Sequence, residues 1–423
     1  MPVDDSVHQN SVAPRSHFWL ICLLRFDWQK HIDRTGKGKN MQRRIMNKVM
    51  GAAICLALFA SGYNANALET SAREAILVDL TTNTVLLAKD PDEIMPPASM
   101  SKIMTIYLVF EALKQGRLQL DDELSVSEKA WRMGGSKMFV EVGNRVPVEA
   151  LLRGVIVQSG NDACVVFAEA LGGTEEAFAE IMNRKARELG MNQSNFANAT
   201  GWPDPNHYVT ARELALLAQR LIQDFPEYYH YFAETEYTWN DITQQNRNPL
   251  LYRTPGTDGL KTGHTEEAGY GLTASAVRNG RRILLVANGM ASSKVRAEES
   301  DRLIEWAFRE FESYTLFNAG ETVERADVWM GQEDSVELVS TGDIAVTLPK
   351  RGRDKLLVKV VYDGPVPAPI ERGQIMAHLV IEAEGMETQS IPLMARSNID
   401  RQGPIGRLWT GAKHMILGSA SMD

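Results

Sequence analysis

The chain has 423 residues, 44% of them hydrophobic and 23% charged, with a formal net charge of −9. That balance fits a water-soluble globular protein of about two domains, and the acidic excess excludes a general nucleic-acid binder. No apolar run reaches the roughly 18 residues that a membrane-crossing helix requires, and there are only three cysteines.

The N-terminal region has the layout of an export signal. Met41-Gln-Arg-Arg-Ile-Met-Asn-Lys48 is basic, the run from Val49 to Ala60 is apolar, and Asn64-Ala-Asn-Ala67 supplies a small-residue cleavage site. Residues 1–67 are therefore expected to be a leader, with Met41 as the start and the cut after Ala67. The mature chain then keeps only Cys164, so no intrachain disulfide forms. A bacterial periplasmic protein with a large core does not need one.

Ala75-Ile-Leu-Val-Asp-Leu80 and Thr84-Val-Leu-Leu-Ala88 flank Thr81-Thr-Asn83 as strand, turn and strand. Pro96-Pro97 precedes a helical run from about Ser99 to Lys114. Pro147 opens an apolar helix that ends near Gln158, another follows Asn161 and ends at Gly172-Gly173, and residues 174–191 form a third that closes at Gly190. After Gly259 the pattern turns to strands. Tyr270 to Val277 and Arg282 to Met290 form a hairpin about Asn279-Gly280, a pair suited to the positive φ angles of a type I′ turn. Val295 to Phe311 is helical again. Strands at both ends with helices between them predict an α+β unit, one antiparallel sheet with helices and a helical subdomain, over residues 68–317.

Residues 318–395 contain short β-branched segments separated by Gly or Pro, which predicts a small all-β domain. In the remaining residues 396–423, Ile405, Leu408, Trp409, Ala412, Met415 and Ile416 share one helical face, and Arg407, Lys413 and His414 lie elsewhere. A C-terminal amphipathic helix with an aromatic apolar face and cationic flanks suits the surface of an anionic bilayer. Docking of that helix on its own domain is the alternative.

Three short strings carry the chemistry: Ser99-Met-Ser-Lys102, Ser159-Gly-Asn161 and Lys261-Thr-Gly263. A serine hydroxyl is a weak nucleophile at neutral pH and needs an adjacent base. Lys102 follows Ser99 by three residues, so the two side chains share a helix face. To accept a proton the lysine must be neutral. Burial and a second cation, for which Lys261 is the candidate, favour that state, with the two amines gathered about the Ser99 hydroxyl. Alone, Ser-x-x-Lys occurs about once by chance in a chain of this length and could be a helix cap. Ser159 and Asn161 supply a hydroxyl and an amide, or else a second cap. Lys261 and Thr262 lie on a glycine-flanked strand able to pair with a terminal carboxylate and an extended peptide.

With these motifs in this order, the chain resembles the low-molecular-mass penicillin-binding proteins, specifically the serine-type D-alanyl-D-alanine carboxypeptidases, over residues 68–418. Pro96-Pro-Ala-Ser99-Met-Ser-Lys102-Ile-Met-Thr105, Ser159-Gly-Asn161-Asp-Ala163 and Asp258-Gly-Leu-Lys261-Thr-Gly-His264-Thr265 carry the resemblance. It implies a penicillin-binding/β-lactamase-like fold, Ser99 as acyl-ester nucleophile, Lys102 as proton acceptor and Ser159 as second active serine. Asn161 would hold the substrate, Lys261, Thr262 and Gly263 would receive its terminal carboxylate, and the backbone N–H groups of Ser99 and His264 would hold the oxyanion. Arg296, in Lys294-Val-Arg-Ala-Glu-Glu299, resembles a family arginine near that carboxylate. The implied substrate is a peptidoglycan pentapeptide that loses its terminal D-Ala. β-Lactams are the implied inhibitors and the outer face of the inner membrane the implied location, with no cofactor or metal. The rivals are a class A-like β-lactamase, for which Glu188-Leu-Gly-Met-Asn192 is the nearest candidate element, and a non-catalytic cell-wall-binding scaffold.

Overall fold

A computed structural model describes residues 19–24, 68–350, 356–382, 387–406 and 408. The export signal and most of the amphipathic tail lie outside the described residues. Of the tail's apolar face, Ile405 and Leu408 are described, and they are 84% and 76% exposed.

The first sheet has five antiparallel strands: β1 (Glu74–Asp79), β2 (Thr84–Lys89), β3 (Thr257–Thr265), β4 (Gly269–Arg278) and β5 (Arg281–Met290), in the order β3-β4-β5-β1-β2. The two ends of this unit thus meet in one sheet, as the strand–helix–strand pattern predicts. Both faces of the sheet are covered, and side chains alternate between them with the two-residue period of a strand. Ile76 and Val78 of β1 and Leu284 and Val286 of β5 join a core shared with the central helices. Ala75 and Leu77 of β1 and Ile283 and Leu285 of β5 face the other way, toward Leu303, Ile304 and Ala307 of a helix that closes that side. Asn279 and Gly280 have φ of 51° and 79°, the left-handed pair a type I′ hairpin needs, and Arg278 faces Arg281 across the turn.

The longer helices are α1 (Lys102–Lys114), α2 (Val148–Ile156), α3 (Asn161–Gly172), α4 (Glu175–Leu189), α5 (Ala211–Asp224) and α6 (Ser293–Glu310). Thr174, Thr210 and Ser292 cap α4, α5 and α6 by accepting the backbone N–H three residues on. Gly190 ends α4 in the left-handed conformation. The α-helix begins about one turn later than the sequence suggests, so Ser99 lies not in α1 but in a 3-10 turn over Ala98–Ser101 that leads into it.

From Phe311 onward the described chain is almost wholly β, with its own core that includes Val336, Leu338, Val346, Val360, Leu379 and Leu393. Phe311–Phe317 pairs with Ile344–Pro349. The Trp19–Leu24 strand, from the stretch the sequence assigns to the leader, pairs antiparallel with Leu357–Asp363 at one edge of the larger, seven-stranded sheet. A buried polar knot joins the two units. Asp79, fully buried in β1, lies 2.5 Å from Arg281 and accepts from the Thr347 hydroxyl at 2.8 Å, while Gln389 donates to the Thr84 hydroxyl at 2.5 Å.

Candidate active site

Two glycines let the backbone converge on the Ser99 turn. Gly201 has φ +78°, and a Cβ there would lie 1.9 Å from the Ala98 carbonyl oxygen. At Gly263 in β3 a Cβ would lie 2.8 Å from the Pro97 carbonyl oxygen. The Thr200–Gly201 segment and the Lys261 strand are therefore drawn against the serine turn from separate parts of the sequence. The structure gives Gly263 this close-approach role, in addition to any contact with a ligand.

Lys102 Nζ lies 2.7 Å from Ser99 Oγ and donates to the Thr200 carbonyl at 2.6 Å. Its side chain is fully buried and forms no ion pair among the described residues. Burial pulls its pKa down to about 8, helped by the Arg247 guanidinium and opposed by Cys164 and Asp162. A neutral amine that donates to Thr200 still has a lone pair for the Ser99 proton.

The second lysine does not share the Ser99 hydroxyl, which corrects the expectation of two amines around one oxygen. Lys261 Nζ instead donates to Ser159 Oγ at 2.8 Å, so each serine has its own lysine. Lys261 is 2% exposed, and burial holds its pKa well below that of a free amine; Lys102, Arg247 and Arg296 add to the drop. The two dyads thus act on each other through charge, as expected, while their hydrogen bonds stay separate.

Neither serine is a helix cap. Ser99 lies inside its 3-10 turn, whose cap residue is Pro97, and α3 is preceded by Gly160 as its cap residue. Ser159 is 1% exposed and has φ +60°, a left-handed backbone that an L-residue occupies at a cost of about 1–2 kcal/mol. Asn161 is buried at the start of α3, where its backbone N–H donates to the Ser136 carbonyl at 2.7 Å and its Nδ2 to the Gly134 carbonyl at 2.8 Å. Thr262 is buried beside Lys261, and His264 is exposed at the end of β3 with its ring centroid 3.9 Å from that of Tyr270. Arg296, in the first turn of α6, has its Cζ 5.7 Å from the Tyr270 ring centre, and its buried Nε has no hydrogen-bond partner among the described residues.

Two groups at the site carry no sequence signal. Arg247 follows Asn246 in a loop with no motif, yet its guanidinium bonds the Ser136 hydroxyl and lowers the pKa of both lysines. The Thr200 carbonyl is a main-chain acceptor, which side-chain spacing cannot reveal. A groove opens beside the serine turn, lined in part by Pro97, Ala98, Gly201, Trp202 and Thr265. Glu188, the residue considered for a β-lactamase water, is 62% exposed and pairs with Lys185 at 2.5 Å near the end of α4.

Residues 61–291 match the family model described as D-alanyl-D-alanine carboxypeptidase, and residues 311–401 match the C-terminal domain of penicillin-binding protein 5. The chain is 37% identical over 347 residues to the D-alanyl-D-alanine carboxypeptidase DacA of Haemophilus influenzae, covering 81% of this chain and 88% of that one. The crystal structure of penicillin-binding protein 5 from Haemophilus influenzae superposes with a TM-score of 0.72 at 36% identity, over 79% of this chain and 98% of that one. Penicillin-binding protein D2 from Listeria monocytogenes, solved in an ampicillin-bound form, has a TM-score of 0.53 at 29% identity, over 57% of this chain and 99% of that one. With the motifs, the fold and these likenesses in agreement, the chain belongs to the D-alanyl-D-alanine carboxypeptidase family, and its activity is that of a serine-type peptidase acting on D-alanyl-D-alanine ends.

Proposed function

We propose that Ser99 is the nucleophile of this carboxypeptidase and Lys102 its base. Ser99 Oγ attacks the carbonyl carbon of the penultimate D-Ala in a peptidoglycan pentapeptide stem as its proton passes to the neutral Lys102 amine. The tetrahedral oxyanion lies between the backbone N–H groups of Ser99 and His264. The proton taken by Lys102 passes through Ser159, held by Lys261, to the departing nitrogen, so that free D-Ala leaves and Lys102 is neutral again. Water then attacks the Ser99 ester, Lys102 takes its proton and returns it to Ser99 Oγ, and the shortened stem is freed. Asn161 orients the acyl chain. Lys261, Thr262 and Arg296 receive the terminal carboxylate, and the positive charge of Arg247 reinforces them.

The observation that carries this reading is the 2.7 Å contact between Ser99 Oγ and a fully buried amine that has no carboxylate partner among the described residues. An ordinary structural lysine would not be left in that state. β-Lactams enter as substrate mimics that acylate the same serine. The exposed, Lys185-bound Glu188 argues against fast β-lactam turnover. The test is to give the purified protein a D-Ala–D-Ala pentapeptide and, separately, benzylpenicillin. Release of one D-Ala and a slowly cleared adduct on Ser99 support the reading. Rapid penicillin turnover without D-Ala release, or neither adduct nor product, rejects it.

The site of action proposed is the periplasm. The export signal over 41–67 delivers the chain there, and the amphipathic tail rests on the outer face of the inner membrane. The exposure of Ile405 and Leu408 supports a tail whose apolar face is not docked on its own domain. Removal of residues 401–423 is expected to move the protein from the membrane to the soluble fraction, and unchanged partition rejects the anchor.

A further inference from the structure

Asp162 follows Asn161 directly and is fully buried, and in the account above it enters only through its charge, which opposes the pKa drop of Lys102. Among the described residues it forms no ion pair. Its carboxylate is satisfied by four backbone N–H groups: Met138 and Ala163 donate to Oδ1, each at 3.0 Å, and Phe139 and Val140 donate to Oδ2 at 2.9 and 3.2 Å. An acid in the first turn of a helix is ordinary, and the Ala163 contact fits that role. The other three donors come from a segment 22–24 residues earlier in the chain. Within that segment Phe139 has φ +69°, a left-handed conformation costly for a bulky residue. Charge-assisted bonds donated to a desolvated carboxylate are strong enough to impose it.

The clamped segment is one wall of the site. Its Ser136 carbonyl accepts the Asn161 backbone N–H at 2.7 Å, and the Gly134 carbonyl two residues earlier accepts Asn161 Nδ2 at 2.8 Å. The Ser136 hydroxyl accepts from Arg247. Beyond it, Gln244 Nε2 donates to the Lys137 carbonyl at 3.0 Å. The bonds close a ring: Asp162 holds residues 138–140, and residue 136 holds the neighbour of Asp162 together with Arg247.

We propose that Asp162 is a positioning residue, whose carboxylate fixes the Ser136–Val140 segment so that Asn161 and Arg247 are held in place for substrate. The inference rests on the catalytic reading above and deepens it. It assigns the clamp to substrate binding, because neither Ser99 nor Lys102 is bonded to the segment. Asp162→Asn keeps the shape but turns one of the two acceptors into a donor, facing two of the four backbone N–H groups. Loss of such charged hydrogen bonds is expected to raise KM for the pentapeptide by about tenfold or more, with kcat held within about threefold. Ser136→Ala, at a half-buried position, removes only the Arg247 link, so it should raise KM less.

The experiment measures KM and kcat for wild type, both single variants and the double variant, with thermal melting of each. In the predicted outcome the double variant is no worse than Asp162→Asn alone, because both changes break one linkage. A fall in kcat at unchanged KM, no change in either constant, or fully multiplicative effects overturns the proposal. If Asp162→Asn does not fold, Ser136→Ala carries the test by itself, and an unchanged KM overturns it. Ser99→Ala is run in parallel: a Ser99→Ala protein that still releases D-Ala defeats the catalytic reading, whereas the variants above test the clamp.

Discussion

At the residue scale, the proposed mechanism turns on the state of one amine. Lys102 meets a hydroxyl and a carbonyl, and burial brings its pKa to about 8. The price is stability. Below pH 8 the folded protein buries a charged ammonium. Between pH 8 and the ordinary lysine value of 10.5 the folded state sheds the proton while the unfolded chain keeps it, so stability rises with pH across that window. For this group the rise amounts to about 3 kcal/mol. Lys102→Met is therefore expected to be more stable than wild type at pH 7 by chemical denaturation, and the gap should shrink as the pH approaches 10. The same variant should lose about a thousandfold or more in Ser99 acylation. A variant less stable than wild type at pH 7 would contradict the burial argument. The serines, lysines and Asn161 were legible from spacing because each belongs to a short motif. Asp162 and Arg247 were not, because what matters about them is which distant main-chain or side-chain atoms they meet.

At the element scale, the site depends on how closely three chain segments approach. The sequence showed the sheet, the hairpin and the helix ends well, since Asn279-Gly280, Gly173 and Gly190 occupy left-handed positions that favour such residues. It did not show that Ser99 sits in a 3-10 turn or that Phe311–Phe317 pairs with Ile344–Pro349, because both follow from packing more than from local pattern. Gly201→Ala tests the approach. The added methyl would press on the Ala98 carbonyl at a φ of +78°, with a cost of about 3 kcal/mol. It should also move the Thr200 carbonyl off Lys102 and slow acylation. Gly116→Ala is the control: φ is +69° but nothing lies within 4 Å, so about 1 kcal/mol and unaltered acylation are expected. Equal effects of the two changes on melting and acylation would show that the close packing at Gly201 is unimportant.

At the scale of the whole molecule, the catalytic unit and the β domain are tied by the buried knot around Asp79. Asp79→Ala would leave the largely buried Arg281 guanidinium without its carboxylate and Thr347 without its acceptor, at a cost of about 3–5 kcal/mol. Denaturant unfolding should show that loss, and limited proteolysis should cut more readily near residues 311–349. Wild-type stability in the variant would mean the knot contributes little. The central claim is that a buried, neutral Lys102 primes Ser99, and it is tested most directly by the rate at which intact protein gains a penicilloyl mass on Ser99 between pH 6 and 10. The account predicts a rate that rises with pH and levels off, with an apparent pKa near the value of about 8 given by burial, and near-complete loss in Lys102→Met. A rate independent of pH over that range, or wild-type acylation in Lys102→Met, would contradict it.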